Sequence, residues 1–271
     1  MRRRRPLGAG LAGTLAVLAL YAAPAPAMDA GTVTHAAGAT SATLSWGAAD
    51  FGITDPRLAI TRAGVSYDVA ITDICQEGCI LVADDAHTAP GDSVLKVADL
   101  DADGEPEVLV DTFSGGAHCC VTTRVLTFDG SAYTPTDIFW GDVGYRLRDA
   151  DGDGRPELVG ADPRFSGAFT AFAASGFPAQ VLQVTHGAVA DVTRRFPAVV
   201  AADARRQLRD LRRLRRGDDV RGLLAAYVAD EYSLGRAATA RAELAHQLRR
   251  HRIRPQYRAL LLRRLKAWGY R

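Results

Sequence analysis

Asp99-Leu-Asp101-Ala-Asp103-Gly104-Glu105-Pro106-Glu107 and, fifty residues on, Asp149-Ala-Asp151-Gly-Asp153-Gly154-Arg155-Pro156-Glu157 decide how this chain is read. Both place carboxylates at the first, third, fifth and ninth positions of a loop, with glycine at the sixth. Carboxylates so crowded repel one another unless a hard cation sits among them, and calcium accepts oxygen ligands in flexible, many-coordinate geometry. The glycine permits the sharp turn that wraps the ligands around the ion. The expected cofactor is therefore Ca2+. Its candidate residues are Asp99, Asp101, Asp103, Glu105 and Glu107 in one loop and Asp149, Asp151, Asp153, Arg155 and Glu157 in the other.

An EF-hand begins the same way but needs a bidentate glutamate at position twelve, between two helices. The twelfth positions here are Val110 and Gly160. The segments that follow, Glu107 to Phe113 and Glu157 to Gly160, are short and apolar and read as strands. Each loop is thus expected to join two β-strands.

On these residues the chain resembles the FG-GAP and VCBS repeats of integrin α-chain propellers and of many secreted bacterial proteins. The resemblance covers roughly residues 91 to 165. It implies propeller-blade-like β-sheets whose loops bind calcium, and a role in adhesion or ligand capture. The stretches Phe113 to Cys120 and Gly176 to Pro197 resemble uncharacterised secreted bacterial repeat proteins, from which no activity follows.

The amino terminus, Met1-Arg-Arg-Arg-Arg-Pro6, precedes an apolar run from Leu7 to Ala23 and then Ala25-Pro-Ala27. Charged, apolar and small-residue regions in that order make residues 1–27 a secretory signal peptide; the paired arginines leave both the general and the twin-arginine export routes open. No later stretch approaches the ~20 apolar residues of a spanning helix. The mature chain is expected to be secreted, extracellular or associated with the cell envelope.

Charge divides what remains. Residues 28–193 hold 8 Lys+Arg against 24 Asp+Glu, a net −16, and residues 194–271 hold 21 against 7, a net +14. Part of the acidic excess belongs to the calcium loops. The basic half suits either a fit against the acidic half, favoured by high effective concentration, or an external anionic surface of lipid or cell-wall polymer. Nucleic acid is disfavoured by export and by the acidic half.

The pattern predicts a mainly β region over 28–196 and a helical region over 197–271. Candidate strands are 42–46, 58–62, 66–71, 93–97, 107–113, 121–128, 138–140, 168–172 and 181–184, with Asp129-Gly130 as a hairpin turn. Two units and a degenerate one before them are too few for a closed propeller, which takes at least ~4 blades. Helices are expected over 201–216, from Asp218-Asp219 to Gly235, and from Pro255 to Gly269.

Four cysteines in an exported chain imply two disulfides. Bridges from Cys75 and Cys79 to Cys119 and Cys120 are preferred over a short loop plus an adjacent pair. His118 beside two thiols also admits a zinc or copper reading, which the oxidising compartment outweighs. No nucleophile elbow, HExxH pair or phosphate-binding glycine loop is present, so the chain is not expected to be an enzyme. The leading expectation is a calcium-binding module acting on an extracellular protein or envelope glycan. Alternatives are a calcium-stabilised hydrolase centred on His118 and a self-assembling envelope subunit.

Overall fold

The structure, a computed structural model, describes residues 29–75, 79–81, 94–116 and 119–271. Residues 1–27, expected as a signal peptide, lie outside the described residues, as do Ser93, His118 and the side chain of Cys119.

Three antiparallel meanders follow one another, none closed on itself. The first comprises β1 (Gly31–Ala37), β2 (Thr40–Ala48), β3 (Ile53–Arg62) and β4 (Val65–Val69), paired in sequence order. In β2, Thr40, Ala42 and Leu44 are buried while Ser41 and Thr43 are partly open, the period-two alternation of a half-buried strand. The second holds β5 (Ile80–Leu81), β6 (Leu95–Ala98), β7 (Glu107–Gly116), β8 (Cys119–Phe128) and β9 (Tyr133–Gly141). The third holds β10 (Tyr145–Arg148), β11 (Glu157–Ala161), β12 (Ala179–Thr185) and β13 (Ala188–Asp191). The Asp129-Gly130 turn closes β8 onto β9 as expected, with Asp129 Oδ1 accepting from the Ser131 and Ala132 amides.

Strand β7 explains how the sheets stack. Its run Val108-Leu109-Val110 is fully buried, and the alternation of side chains sends Val108 and Val110 into the core shared with the first sheet. Leu109 enters the core shared with the third, beside Trp140 and Leu158. A strand buried on both faces has no polar side to show, hence the unbroken apolar run. Behind it, Asp111 is buried and accepts from Lys96 Nζ at 2.6 Å and Thr123 Oγ1 at 2.5 Å, while Trp140 Nε1 donates to that threonine. The polar atoms at this seam are thereby matched.

The inter-loop disulfides expected from the cysteine spacing do not form. Cys75 bonds to Cys79, their Cα atoms 5.0 Å apart. A turn in which the Cys75 amide donates to the Ile71 carbonyl curls the chain back, and both cysteines sink into the core of the first two sheets. Cys120 is disulfide-bonded as well, so its bond is not to that turn.

Residues 197–271 form four helices: α1 (Pro197–Arg213), α2 (Arg221–Ser233), α3 (Ala237–Arg249) and α4 (Pro255–Ala267). Proline opens α1 and α4 at the position where its missing N–H costs nothing. Asp219 Oδ1 accepts from the Arg221 amide at the start of α2, and Gly235 ends that stretch with a positive φ. Helix α3, alanine-rich and weakly amphipathic, was not legible as a separate stripe. Residues 168–172, expected as a strand, instead lie in turns between β11 and β12, where Phe165 and Phe169 serve the helical core.

That core seats the helical region on the β region. Phe165 and Phe169 pack on Trp268, and Phe169 on Tyr257. Hydrogen bonds complete the seam: Tyr270 donates to Asp162, the Ala179 amide to Asp230, and Gln207 to the Phe177 carbonyl. Among the described residues no ion pair joins 28–193 to 194–271. Direct ion pairs between these residues are thus not what seats the two halves.

Gly222 marks the tightest approach, because a Cβ there would fall 1.9 Å from the Ala174 carbonyl oxygen. Gly222→Ala should therefore destabilise the chain by about 2 kcal/mol or more, as overpacking against backbone does, whereas Gly217→Ala, which opens onto free space, should cost far less. Urea midpoints compare the two directly, and equal midpoints would contradict the close seating. Asp230 supplies a second prediction. Burial, then the nearby Asp203, push its carboxyl up to about 10 from an ordinary 3.8. The fold holds a proton that the unfolded chain releases, so this group's contribution to stability declines as pH rises from about 4 to 10. Asp230→Asn keeps an acceptor for the Ala179 amide and should flatten that decline in melting curves across the range.

Candidate metal centre

Both acidic loops sit at strand turns. Asp99 to Glu107 joins β6 to β7, whose Ala98 and Glu107 are paired, and Asp149 to Glu157 joins β10 to β11 through the pair Arg148 and Glu157. The ninth-position glutamate is therefore the first residue of a strand, with its side chain turned inward. Glu107 is 1% exposed and Glu157 0%.

The two loops repeat one hydrogen-bond pattern. The second-position amide donates to the glutamate, Leu100 to Glu107 and Ala150 to Glu157, at 2.9 Å in each. The fifth-position amide donates to the first aspartate at 3.2 Å and to the third-position aspartate at 3.3 Å, again in each. The sixth-position glycine amide reaches the first aspartate at 2.9 Å in one loop and 3.0 Å in the other. Gly104 and Gly154 have φ of 89° and 88°, the left-handed region that favours glycine. At the fourth position Gly152 (φ 83°) is matched by Ala102 (φ 60°), so the first loop carries strain that the second avoids.

These bonds bring three carboxylates together in each loop. One oxygen each from Asp99, Asp101 and Glu107 lie within 4.8 Å of one another, as do those of Asp149, Asp151 and Glu157. Burial pushes the Glu107 carboxyl up to about 7, against the pull of the Leu100 amide, and the charges of Asp101 and Asp103 push it further the same way. A buried carboxylate beside two others is costly when nothing positive lies between them. All the donors are oxygens, which fits a hard cation of the calcium type and not a thiolate- or imidazole-seeking one.

Other expected ligands are placed elsewhere. The Glu105 carboxylate is held by Arg62 through two bonds of 2.5 Å, with that guanidinium 4.2 Å from the Phe128 ring. Arg155 donates to Asp153 Oδ2, so neither seventh-position side chain joins the carboxylate group. Asp103 and Asp153 each accept from the seventh-position amide. Asp103 also groups with Asp101 and His186.

His186 was not foreseen as a neighbour of the loop. It sits with Gly187 in the two-residue turn between β12 and β13, its amide donates to Asp101 Oδ2 at 2.7 Å, and its Nδ1 lies 3.4 Å from that oxygen. The only signal in the sequence was a His-Gly pair between two apolar runs, which reads as a turn without showing what the turn meets. In the second loop the comparable outside contact is Gln183, whose Nε2 donates to Glu157 Oε1 at 3.0 Å.

No known family model matches the chain, and no solved structure does. The chain is 34% identical over 150 residues to a probable thylakoid lumen protein, sll0997, of Synechocystis sp., which covers 53% of this chain and 44% of that protein. It is 37% identical over 75 residues to an uncharacterised protein, y4bJ, of Sinorhizobium fredii, covering 27% of this chain and 12% of that one. The chain thus spans less than half the length of either curated relative. Among the described residues no helix is long and apolar enough to cross a membrane.

The fourth-position contrast is testable. Gly152→Ala should cost about 1 kcal/mol, the usual penalty for a left-handed alanine, whereas Ala102→Gly should cost nothing or stabilise. Denaturant midpoints of the two variants moving in the same direction by the same amount would show that the loops are not conformational equivalents.

Proposed function

We propose that this chain is an exported, calcium-stabilised β-repeat protein that works by binding at the cell envelope, not by catalysis. The observation that carries the reading is the duplicated loop, with five amide-to-carboxylate bonds shared by both copies and a buried glutamate beside two aspartates in each. Calcium would be held by Asp99, Asp101 and Glu107 and by Asp149, Asp151 and Glu157. When bound it supplies positive charge at two strand turns, so its binding energy becomes folding energy. The three meanders, each of four or five strands, support the likeness to FG-GAP and VCBS blades, and the lumenal assignment of one relative accords with export.

The residues themselves do three things in this reading. The first- and third-position aspartates fix the loop through its own amides, leaving the inward glutamate to complete the cation's oxygen shell. Arg62 and Arg155 draw Glu105 and Asp153 aside by ion pairing, which limits the negative charge around the ion. His186 fastens the first loop to the third sheet, so filling that loop stiffens the junction of two sheets.

Thermal unfolding of the exported chain with calcium and with chelator tests the proposal. At a calcium concentration a hundredfold above Kd, each site should add about 2.7 kcal/mol, a rise of roughly 5 °C or more for a chain of this size. Asp101→Ala combined with Asp151→Ala should abolish the rise. Identical melting with and without calcium would leave the loops as acidic turns and remove the basis of this function.

A further inference from the structure

The helical region carries a groove that the calcium loops do not explain. It runs between α1 and α3, encloses about 710 Å³, and continues into an opening of about 300 Å³ that shares Leu214, Arg250 and Arg252 with it. Leu208, Leu211 and Leu214 line it, with Tyr227 of α2 behind. Arg212, Arg216, Arg250 and Arg252 stand along it.

Little opposes that charge. The ion pairs among described residues 194–271 are Arg206 with Asp203, Arg213 with Asp210 and Arg221 with Asp219. Arg212, Arg216 and Arg250 therefore have no carboxylate partner there. Glu243, the acidic residue of the groove, accepts from Gln247 Nε2 at 2.6 Å. Arg252 donates to the Arg215 carbonyl at 2.8 Å, which ties the end of α3 to the end of α1 and holds the groove in shape. Gln247 is buried and lines the groove, and its Oε1 has no hydrogen-bond partner among the described residues.

We propose that this groove binds a carboxylate-bearing polysaccharide strand of the envelope. Guanidinium forks match carboxylates in bidentate geometry, an apolar floor accepts the C–H faces of sugar rings, and sugar hydroxyls supply donors for an unmet amide oxygen. A volume of about 710 Å³ suits several sugar rings and not a single ion. A bilayer is a poorer occupant: among the described residues the exposed large apolar ones are Phe51, Val65 and Phe139, all in the β region, so the helices offer no exposed apolar anchor. Nucleic acid is poorer too, because the groove's tyrosine, Tyr227, is buried, which leaves the single imidazole of His246 where a stacking platform takes successive aromatic faces. The proposal deepens the envelope-binding reading and rests on its claim of export.

The test uses the exported chain and hyaluronate oligosaccharides, with uncharged dextran, a single-stranded DNA oligonucleotide and phosphatidylglycerol vesicles alongside. Hyaluronate should bind in preference to the other three, more weakly as salt rises, and at least tenfold more weakly to Arg212→Ala with Arg250→Ala. Arg258→Ala with Arg263→Ala, removing two exposed charges from α4, should leave binding near that of the parent, and both variants should melt like it. Equal losses in the two variants would reduce the effect to overall charge and overturn the groove. No preference over dextran, or a preference for DNA or vesicles, would overturn the occupant. Melting with and without calcium, read separately, distinguishes failure of the calcium reading from failure of this one.

Discussion

Three carboxylates converge at each of two strand turns, and one of the three is buried at the head of a strand. Their mutual repulsion and the desolvation of the glutamate work against the very hairpins that hold the second and third sheets together. The loop answers part of this with its own amides, which donate to the aspartates in the same order in both copies. Backbone dipoles do not cancel whole charges, and that remainder is the ground for proposing a divalent cation at the site. Strand β7, the shared wall of two cores, begins at Glu107, so the stacking of all three sheets is anchored next to the first site.

The helical region depends on a different interaction. Its aromatic seat, built from Phe165 and Phe169 on one side and Tyr257 and Trp268 on the other, buries apolar area where the chain passes between β11 and β12. Charge complementarity between the halves suggested an electrostatic fit, but exposed ion pairs stabilise little in water. The aromatic seat leaves the basic surface turned outward. In the proposed function, that separation assigns calcium to one part of the chain and an anionic partner to another.

Much of this was legible because the signals were local. Strands β2, β3, β7 and β8 announced themselves through alternating or unbroken apolar runs, and α4 through Pro255 and Gly269. The misreadings concern what local pattern does not encode. Residues 168–172 have strand-like composition, yet Phe169 is committed to a core assembled from residues almost a hundred positions later. The disulfide was misassigned because spacing does not show that the turn after Ile71 returns Cys75 to Cys79. His186 was passed over because a histidine in a hairpin turn carries no mark of what the hairpin touches.

By itself, then, the sequence determined the two carboxylate loops, the strands that flank them, the division into β and helical parts, and the charge of each part. All of these follow from residue type at short spacing, where repulsion, turn geometry and side-chain periodicity act within a few positions. Packing decides which carboxylates of the first loop converge, because Arg62 is brought from 43 residues away to remove Glu105. It also placed His186 on Asp101 across 85 residues, and left Arg212 and Arg250 facing a groove instead of the acidic sheets. Those outcomes depend on how separately formed elements pack, which is set by apolar area buried between distant segments and has no counterpart in the order of neighbouring residues.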